Sequence, residues 1–210
     1  MGNELNKLFT TKKLHVLVFI VLGTMLTACR GSSSSIGVVF NYRWIDQNLT
    51  TNTHKLTRHS GWINKITIHH TATRNEYGTT DLQRLRSARR YHIERRGWGD
   101  IAYHYLIAAD GTIYQGRDES YRGGSSTNYG LDNNLLIAVM GNFEVENPTQ
   151  QALNSLTQLI SNRMLHYDIS PNNIKTHRDH IATLCPGARL HDWFSHVGQY
   201  EILNTYRTKR

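Results

Sequence analysis

The chain has 210 residues, of which 39% are hydrophobic and 19% are charged. This balance is typical of a globular protein and excludes collagen-like, coiled-coil and mostly disordered chains. The formal net charge of +8 favours anionic partners such as nucleic acids, acidic lipid headgroups or cell-wall polymers, without choosing among them.

The first 29 residues have the features of an export signal. Basic residues between Lys7 and Lys13 precede an apolar run of 13 residues, Leu14 to Leu26, which is shorter than the roughly 20 residues that span a bilayer as a helix. Leu26-Thr27-Ala28-Cys29 follows and resembles the bacterial lipobox, in which the cysteine is lipidated and becomes the new N-terminus. We therefore predict a signal peptide over residues 1–28 and a lipidated Cys29. An ordinary cleavable signal and an uncleaved membrane helix are the alternatives.

A lipid on Cys29 predicts a protein that is anchored in the cell envelope. The Ser-rich residues 31–35 are typical of a flexible tether, and we assign residues 29–60 to this tether and an N-terminal segment without strong periodicity. By resemblance to known sorting signals, Arg30 favours the outer membrane, facing the periplasm, if the source has two membranes. Residues 61–210 then form the remaining domain.

Strand and helix patterns alternate along this domain. β-Branched and apolar runs predict strands at Ile66–His70, Ala102–Ile107, Thr112–Tyr114, Leu135–Met140 and Ile174–His177. Helices are predicted to begin at Thr80, which forms a capping box with Gln83, and at Asn147 or Thr149. This order predicts an α/β fold, a single domain in which helices flank a central mixed β-sheet.

The first helix and the hairpin carry further local predictions. A stripe at helical spacing predicts the buried face of the first helix: Leu82, Leu85, Ala88 and His92. Six arginines crowd the same segment: Arg84, Arg86, Arg89, Arg90, Arg95 and Arg96. We expect them to form a solvated face, and a groove for an anionic polymer is the alternative. Asp110-Gly111 predicts a type I′ turn between two strands.

Three potential metal ligands lie at or after the ends of predicted strands. His69 ends the first strand of the domain, His177 ends the last, and Cys185 follows His177 by eight residues. Two imidazoles and one thiolate leave the fourth position of a tetrahedral Zn²⁺ open, as in catalytic rather than structural sites. A thiolate also selects zinc over magnesium or calcium. Because the chain has 12 histidines, a chance cluster is the alternative.

Five motifs occur together in the order that one family shows. They are Ile66–Ala72, Gly97–His104, Asp110–Arg117, Gly141–Phe143 and the segment from His177-Arg178-Asp179 to Cys185-Pro186-Gly187. Over roughly residues 62–193 the chain resembles the type-2 N-acetylmuramoyl-L-alanine amidase and peptidoglycan recognition protein family. The resemblance implies a zinc amidase fold with zinc at the strand ends. It also implies hydrolysis of the amide between N-acetylmuramic acid and L-alanine in peptidoglycan or muropeptides.

The resemblance assigns His69, His177 and Cys185 as the ligands of Zn²⁺. Because adjacent strand residues point to opposite faces, His70 is expected to pack beneath the sheet or to orient a neighbour. His180 is the rival of His177, but the family motif does not use its position.

The resemblance also assigns two catalytic residues. Tyr103 occupies the position of the catalytic tyrosine, whose hydroxyl would donate to the oxyanion of the tetrahedral intermediate; a core tyrosine is the alternative. Thr183 stands where relatives carry a lysine or threonine that points at the reacting carbonyl. No carboxylate matches a general-base position of the family, so proton transfer to the leaving amine is unassigned.

The chain departs from the family pattern in one segment. Many relatives have Gly-Ala-His followed by Gly-Tyr-Asn before the apolar strand, whereas residues 124–131 read Gly-Ser-Ser-Thr-Asn-Tyr-Gly-Leu. Substrate contacts are therefore expected to differ. Trp98, Arg117 and Asn142 are candidates for lining the groove, each with a structural role as the alternative.

The partners expected from these features are a peptidoglycan or muropeptide substrate and a membrane, reached through the lipid anchor. We expect a monomer that does not bind nucleic acid. The alternative functions are a non-catalytic peptidoglycan-binding module, which the presence of Cys185 opposes, and a zinc amidopeptidase acting on a different amide. Nucleic-acid binding through the arginine-rich helix would predict a steep dependence of affinity on salt.

Overall fold

Six strands and four α-helices make up the part of the chain that the computed structural model describes, residues 37–40, 44, 49–75 and 78–210. The strands are β1 (Val38–Val39), β2 (Lys65–His70), β3 (Tyr105–Ile107), β4 (Ile113–Gln115), β5 (Asn134–Val139) and β6 (Ile174–Thr176). The helices are α1 (Asp81–Arg90), α2 (Gln150–Tyr167), α3 (Ala188–Trp193) and α4 (Gln199–Lys209). The predicted signal peptide, Cys29 and the Ser-rich tether lie outside the described residues.

The strands form one sheet in the order β1-β4-β3-β5-β2-β6. Strands β3 and β4 pair antiparallel, and every other neighbouring pair is parallel. The predicted mixed sheet with flanking helices is therefore confirmed. All six residues of β5 are buried, as expected for a central strand that is covered on both faces.

The two faces of the sheet carry separate apolar cores. Leu135, Ile137 and Val139 of β5 pack on the side of α2, α3 and α4, whereas Ala138 packs on the side of α1. The α2 stripe predicted from the sequence, Leu153, Leu156, Ile160 and Met164, is buried in the first core. Thr149 caps α2 by accepting a hydrogen bond from the backbone of Ala152. Helices α3 and α4 were not predicted from the sequence. Within the described residues, no helix combines the length and apolarity needed to cross a membrane.

Helix α1 begins as predicted and buries most of the predicted stripe, since Leu85 is fully buried and Ala88 packs against the same core. Thr80 and Gln83 form the expected capping box, but Leu82 is exposed, so this position of the predicted stripe is wrong. Arg89 is buried instead, and its Nε donates to Asp100 over 2.7 Å. The expectation of a fully solvated arginine face is therefore wrong at Arg89, because the guanidinium is held by a buried carboxylate and by the Leu49 carbonyl.

The hairpin between β3 and β4 has a different turn from the one predicted. The Gly111 N–H donates to the Ala108 carbonyl over 3.0 Å, and Gly111 has a positive φ of +87° whereas Asp110 does not. This is a type I turn followed by a left-handed glycine, not a type I′ turn. The strand predicted at Ala102–Ile107 is also shorter in the structure, since residues 102–104 lie before β3.

His104, just before β3, links two segments through a neutral imidazole. Its Nδ1 accepts the Leu136 N–H over 2.8 Å, and Nε2 lies 2.9 Å from the Tyr121 carbonyl, to which it donates. The side chain is fully buried. Burial lowers the pKa of His104 from 6.5 to about 3, because the charged ring would lose its hydration and the Nδ1 acceptor.

This histidine predicts acid sensitivity of the metal-free protein. As the pH falls from 6.5 towards 3, the unfolded chain takes up a proton at His104 that the folded chain does not bind. The free energy of unfolding should therefore decline, with a contribution of about 1.4 kcal/mol per pH unit from this residue. Urea unfolding at a series of pH values should show a shallower slope for His104→Gln. The exposed His166 offers the matched His166→Gln control, and equal slopes in all three proteins would contradict the prediction.

Candidate metal centre

Two histidines meet where neighbouring parallel strands end. Strands β2 and β6 pair in parallel with Ile68 opposite Thr176, so their carboxyl ends lie at the same edge of the sheet. His69 lies near the end of β2 and His177 directly follows β6. Both side chains are buried, and their ring centroids are 4.5 Å apart. The strand pairing thus brings together two imidazoles that are far apart in sequence.

Cys185 completes the cluster from the loop before α3. Its Sγ lies 3.3 Å from Nδ1 of His69, and one potential ligand atom from each of His69, His177 and Cys185 lies within 4.8 Å of the others. Gly187 keeps this loop against the backbone of Phe143: it has a φ of +90°, and an added Cβ would lie 2.4 Å from the carbonyl carbon of Phe143. Only glycine fits such a close approach without displacement.

The potential ligand atoms of the cluster fit a zinc ion. Nδ1 of His177 is buried and has no hydrogen-bond partner among the described residues, although a buried polar atom is normally paired. Nδ1 of His69 faces the Cys185 sulfur. Two imidazole nitrogens and one thiolate are ligands that zinc prefers, and they leave one of four tetrahedral positions for water or substrate.

Burial sets the protonation of the three side chains in the metal-free state. It holds the pKa of His69 well below 6.5 and lowers the pKa of His177 to about 4, so both rings are neutral at pH 7, the form that binds metals. Burial raises the pKa of the Cys185 thiol to about 12. A bound cation would reverse this effect by stabilising the thiolate.

Tyr103 and Thr183 line the same cavity of about 220 Å³ as the three potential ligands. The Tyr103 hydroxyl donates to the His70 carbonyl over 3.3 Å, and its ring centroid is 5.5 Å from that of His69. Burial raises the pKa of Tyr103 above its usual 10, so the phenol keeps its proton. The Thr183 hydroxyl accepts the backbone N–H of Cys185 over 3.2 Å. No carboxylate belongs to this lining among the residues that the structure describes.

The rival histidines lie outside the cluster. His70 points to the other face of the sheet, where its Nδ1 accepts the Phe143 N–H over 3.3 Å, as strand alternation predicts. Nε2 of His180 lies 3.0 Å from the hydroxyl of Thr67. Neither side chain joins the three potential ligands.

The structure separates the three groove candidates. Trp98 lines the cavity of the cluster, and Asn142 lines an adjoining cavity of about 690 Å³. Arg117 is buried, and its guanidinium donates to the backbone carbonyls of Asp100, Ile101 and Arg122. Arg117 therefore has a structural role as a buried hydrogen-bond donor and is not a surface charge.

Two hydroxyl groups that contact the histidines of the cluster were not predicted from the sequence. The Tyr129 hydroxyl lies 2.8 Å from Nε2 of His69, and the Thr127 hydroxyl lies 2.6 Å from Nε2 of His177. Both residues belong to segment 124–131, where the chain departs from the family pattern. No motif marks them, so only the fold reveals their position.

A mixed sheet with a His-His-Cys cluster at the carboxyl edge of its parallel strands defines the class of α/β proteins to which zinc amidases belong. The family model of Amidase_2, described as N-acetylmuramoyl-L-alanine amidase, matches residues 59–188. The chain therefore belongs to this family.

Individual relatives include both recognition proteins and an amidase. Peptidoglycan-recognition protein SC2 of Drosophila simulans is 26% identical over 166 residues, which are 77% of this chain and 86% of that protein. The structure of a Drosophila PGRP-LB mutant in complex with tracheal cytotoxin is 28% identical, with a TM-score of 0.66 over 76% of this chain and 94% of that one. N-acetylmuramoyl-L-alanine amidase LysC from Clostridium intestinale is 28% identical, with a TM-score of 0.59 over 77% of this chain and 97% of that one.

Proposed function

We propose that this protein is a zinc-dependent amidase that hydrolyses the bond between N-acetylmuramic acid and L-alanine in peptidoglycan or muropeptides. The observation that carries the proposal is the cluster of His69, His177 and Cys185, whose potential ligand atoms lie within 4.8 Å of one another. Family membership over residues 59–188 supports the same reaction.

In this proposal His69 and His177, each through Nδ1, and Cys185 through Sγ would hold a zinc ion. When bound, it would supply Lewis-acid polarisation of the carbonyl and a lower pKa for water. Tyr103 supplies a protonated phenol on the cavity wall. Its hydroxyl can turn from the His70 carbonyl to the oxyanion of the tetrahedral intermediate, and this hydrogen bond strengthens as negative charge develops. The Thr183 hydroxyl adds a weaker donor beside Cys185.

The shape of the surface supports a polymeric or elongated substrate. The adjoining cavity of about 690 Å³ shares several wall residues with the metal cavity, including Tyr91, His92 and Tyr103, and continues to Arg74. Guanidinium groups favour anionic ligands. The carboxylates of a stem peptide fit this requirement, and the PGRP-LB complex with tracheal cytotoxin supports a peptidoglycan fragment as the ligand.

The proposed function is tested by measuring hydrolysis of peptidoglycan and binding to peptidoglycan in the same experiment. Purified protein, metal-free or loaded with zinc, would be incubated with peptidoglycan, and both sedimentation with the polymer and release of soluble peptides would be recorded. We expect peptide release only with zinc. Sedimentation without release in the loaded protein would instead support the non-catalytic binding module, and release with a different new terminus would support an amidopeptidase.

We also propose that the mature protein begins at a lipidated Cys29 and is held in the cell envelope, in the outer membrane of a two-membrane source. The support is the lipobox-like sequence Leu26–Cys29 after a short apolar run. In a bacterial host fed radiolabelled palmitate, the full chain should take up label, and Cys29→Ser should not. Cys185→Ser is the matched control that keeps the label. Label in the Cys29→Ser protein would contradict the anchor.

We propose a monomer with residues 61–210 as the catalytic domain, and no role for nucleic acid. Several arginines of the α1 segment are engaged within the protein: Arg84 with Asp81, Arg86 with the Trp44 carbonyl and Arg89 with Asp100. This pairing argues against a continuous basic stripe for nucleic acid. DNA affinity that falls steeply with salt would contradict the proposal.

A further inference from the structure

We propose that Thr127 and Tyr129 are positioning residues for the metal, whose hydroxyl groups hold the two histidine ligands by their outer nitrogens. The inference rests on the zinc site of the proposed function and assigns a role to the segment that departs from the family pattern. It concerns metal affinity and the orientation of the imidazoles, and neither hydroxyl contacts the substrate in this account.

The contacts are short and similar on both histidines. Nε2 of His177 lies 2.6 Å from Oγ1 of Thr127, and Nε2 of His69 lies 2.8 Å from Oη of Tyr129. When Nδ1 of each ring binds the metal, the proton is on Nε2, so in each pair the imidazole N–H donates and the hydroxyl oxygen accepts. Histidines that bind metals usually donate their second N–H to such an outer partner, which fixes the tautomer and the angle of the ring.

The outer hydrogen bonds leave the inner nitrogens available. With the proton on Nε2, the lone pair of each ring is on Nδ1. Nδ1 of His177 is a buried atom without a hydrogen-bond partner among the described residues, and Nδ1 of His69 lies 3.3 Å from the Cys185 sulfur. With the hydroxyls as acceptors, the available lone pair of both histidines therefore faces the cluster.

The segment is itself fixed at several points, so the hydroxyls are preorganised. Its first residue, Gly124, donates a backbone N–H to the Ala102 carbonyl over 2.9 Å, and the Gly130 carbonyl accepts from the Asn134 side chain over 2.9 Å. Oγ1 of Thr127 also lies 2.9 Å from the Ser125 hydroxyl, which can accept its proton. This leaves the lone pairs of Thr127 for the imidazole N–H.

Ring packing fixes Tyr129 independently of its hydroxyl. Its ring stacks on His180, with centroids 5.0 Å apart and an interplanar angle of 18°, and it lies 4.7 Å from the His177 ring. Tyr129→Phe keeps this packing and removes only the oxygen. Thr127→Val likewise keeps the shape of the side chain, whereas Thr127→Ser keeps the hydroxyl.

Zinc affinity of the full-length protein, measured by competition with a chromophoric chelator, tests the inference. Loss of an outer partner typically weakens metal binding about 10-fold to 100-fold, and we expect this loss for Tyr129→Phe and for Thr127→Val. Thr127→Ser should restore wild-type affinity, and Asn128→Ala, at an exposed position between the two residues, should leave it unchanged. Thermal unfolding of the metal-free proteins should show the same midpoint within a few degrees, because only metal binding needs the hydroxyls.

The outcomes separate this inference from the proposed function. If the wild-type protein binds zinc tightly and Tyr129→Phe and Thr127→Val bind it as tightly as Asn128→Ala, the positioning role is overturned and the zinc site stands. If Thr127→Ser binds as weakly as Thr127→Val, the hydroxyl of Thr127 is not the cause and its role is overturned. If the wild-type protein binds no zinc, both proposals fail.

Discussion

Replacement of Cys185 by alanine is expected to abolish tight zinc binding and, with it, hydrolysis. The thiolate is one of three potential ligands whose atoms lie within 4.8 Å of one another, and the other two are neutral imidazoles that cannot offset the charge of the ion. A metal supplies several kcal/mol of transition-state stabilisation, so we expect turnover to fall by about 10³-fold or more. Zinc content by atomic absorption and peptide release from muropeptides are the two measurements.

The control for this variant tests the rival ligand. His180→Gln removes the histidine that lies near the Cys185 loop but outside the cluster. This variant should still bind one zinc per chain at saturating metal. Binding of peptidoglycan by Cys185→Ala is expected to persist, because the thiol contributes to the metal and not to the groove. Full zinc content in Cys185→Ala, or its loss in His180→Gln, would contradict this assignment.

Tyr103→Phe is expected to lower kcat by about 10²-fold to 10³-fold while leaving KM and zinc content unchanged. The hydroxyl forms its catalytic hydrogen bond only as the oxyanion develops, and an interaction made only in the transition state changes kcat rather than substrate binding. Phenylalanine keeps the ring contact with His69, at 5.5 Å between centroids, so the metal ligand stays in place.

An exposed tyrosine provides the comparison for this second variant. Tyr200→Phe on α4 removes a phenolic hydroxyl where the side chain is 72% exposed, and its steady-state constants should equal those of the wild-type protein. If Tyr103→Phe retained the wild-type kcat, Tyr103 would be the core tyrosine that the sequence also allowed.

Elements with strong local periodicity could be predicted from the sequence. Strands β2 and β5, the α2 stripe and the Thr80 capping box all depend on residues within a few positions of one another. The predicted ends of the first and last strands of the domain then placed His69 and His177 at strand ends. The resemblance supplied Tyr103 and Thr183, since a tyrosine on a strand and a threonine in a loop carry no chemical signature of their own.

Features that depend on distant partners could not be predicted. Arg89 lies in a basic segment, and its burial requires Asp100 and the Leu49 carbonyl, which no local pattern connects to α1. Thr127 and Tyr129 contact histidines 50 and 60 residues away in the chain. The hairpin turn differed because Asp-Gly fits both turn types, and the register of β3 with β4 decides between them.

Helices α3 and α4 were not predicted, although the first part of this region has helical spacing. Leu190, Phe194 and Ile202 are buried in the α2-side core, but they are spread over three segments, one of which is the π-helical turn Phe194–Gly198. Even so, Leu190, Trp193, Phe194 and Val197 have the i, i+3, i+4 and i+7 spacing of a helical face, so the sequence does carry a signal for a helix here. Leu190, Phe194 and Ile202 are buried because they pack in the same core as the sheet and α2.

A defined muropeptide identifies the bond that the protein cleaves. The zinc-loaded protein would be incubated with N-acetylmuramoyl-L-alanyl peptide, and the products would be identified by mass spectrometry. The account predicts free N-acetylmuramic acid and a peptide with an unblocked N-terminal L-alanine, formed with zinc and absent after chelation. An intact substrate, or cleavage at any other amide, would contradict it.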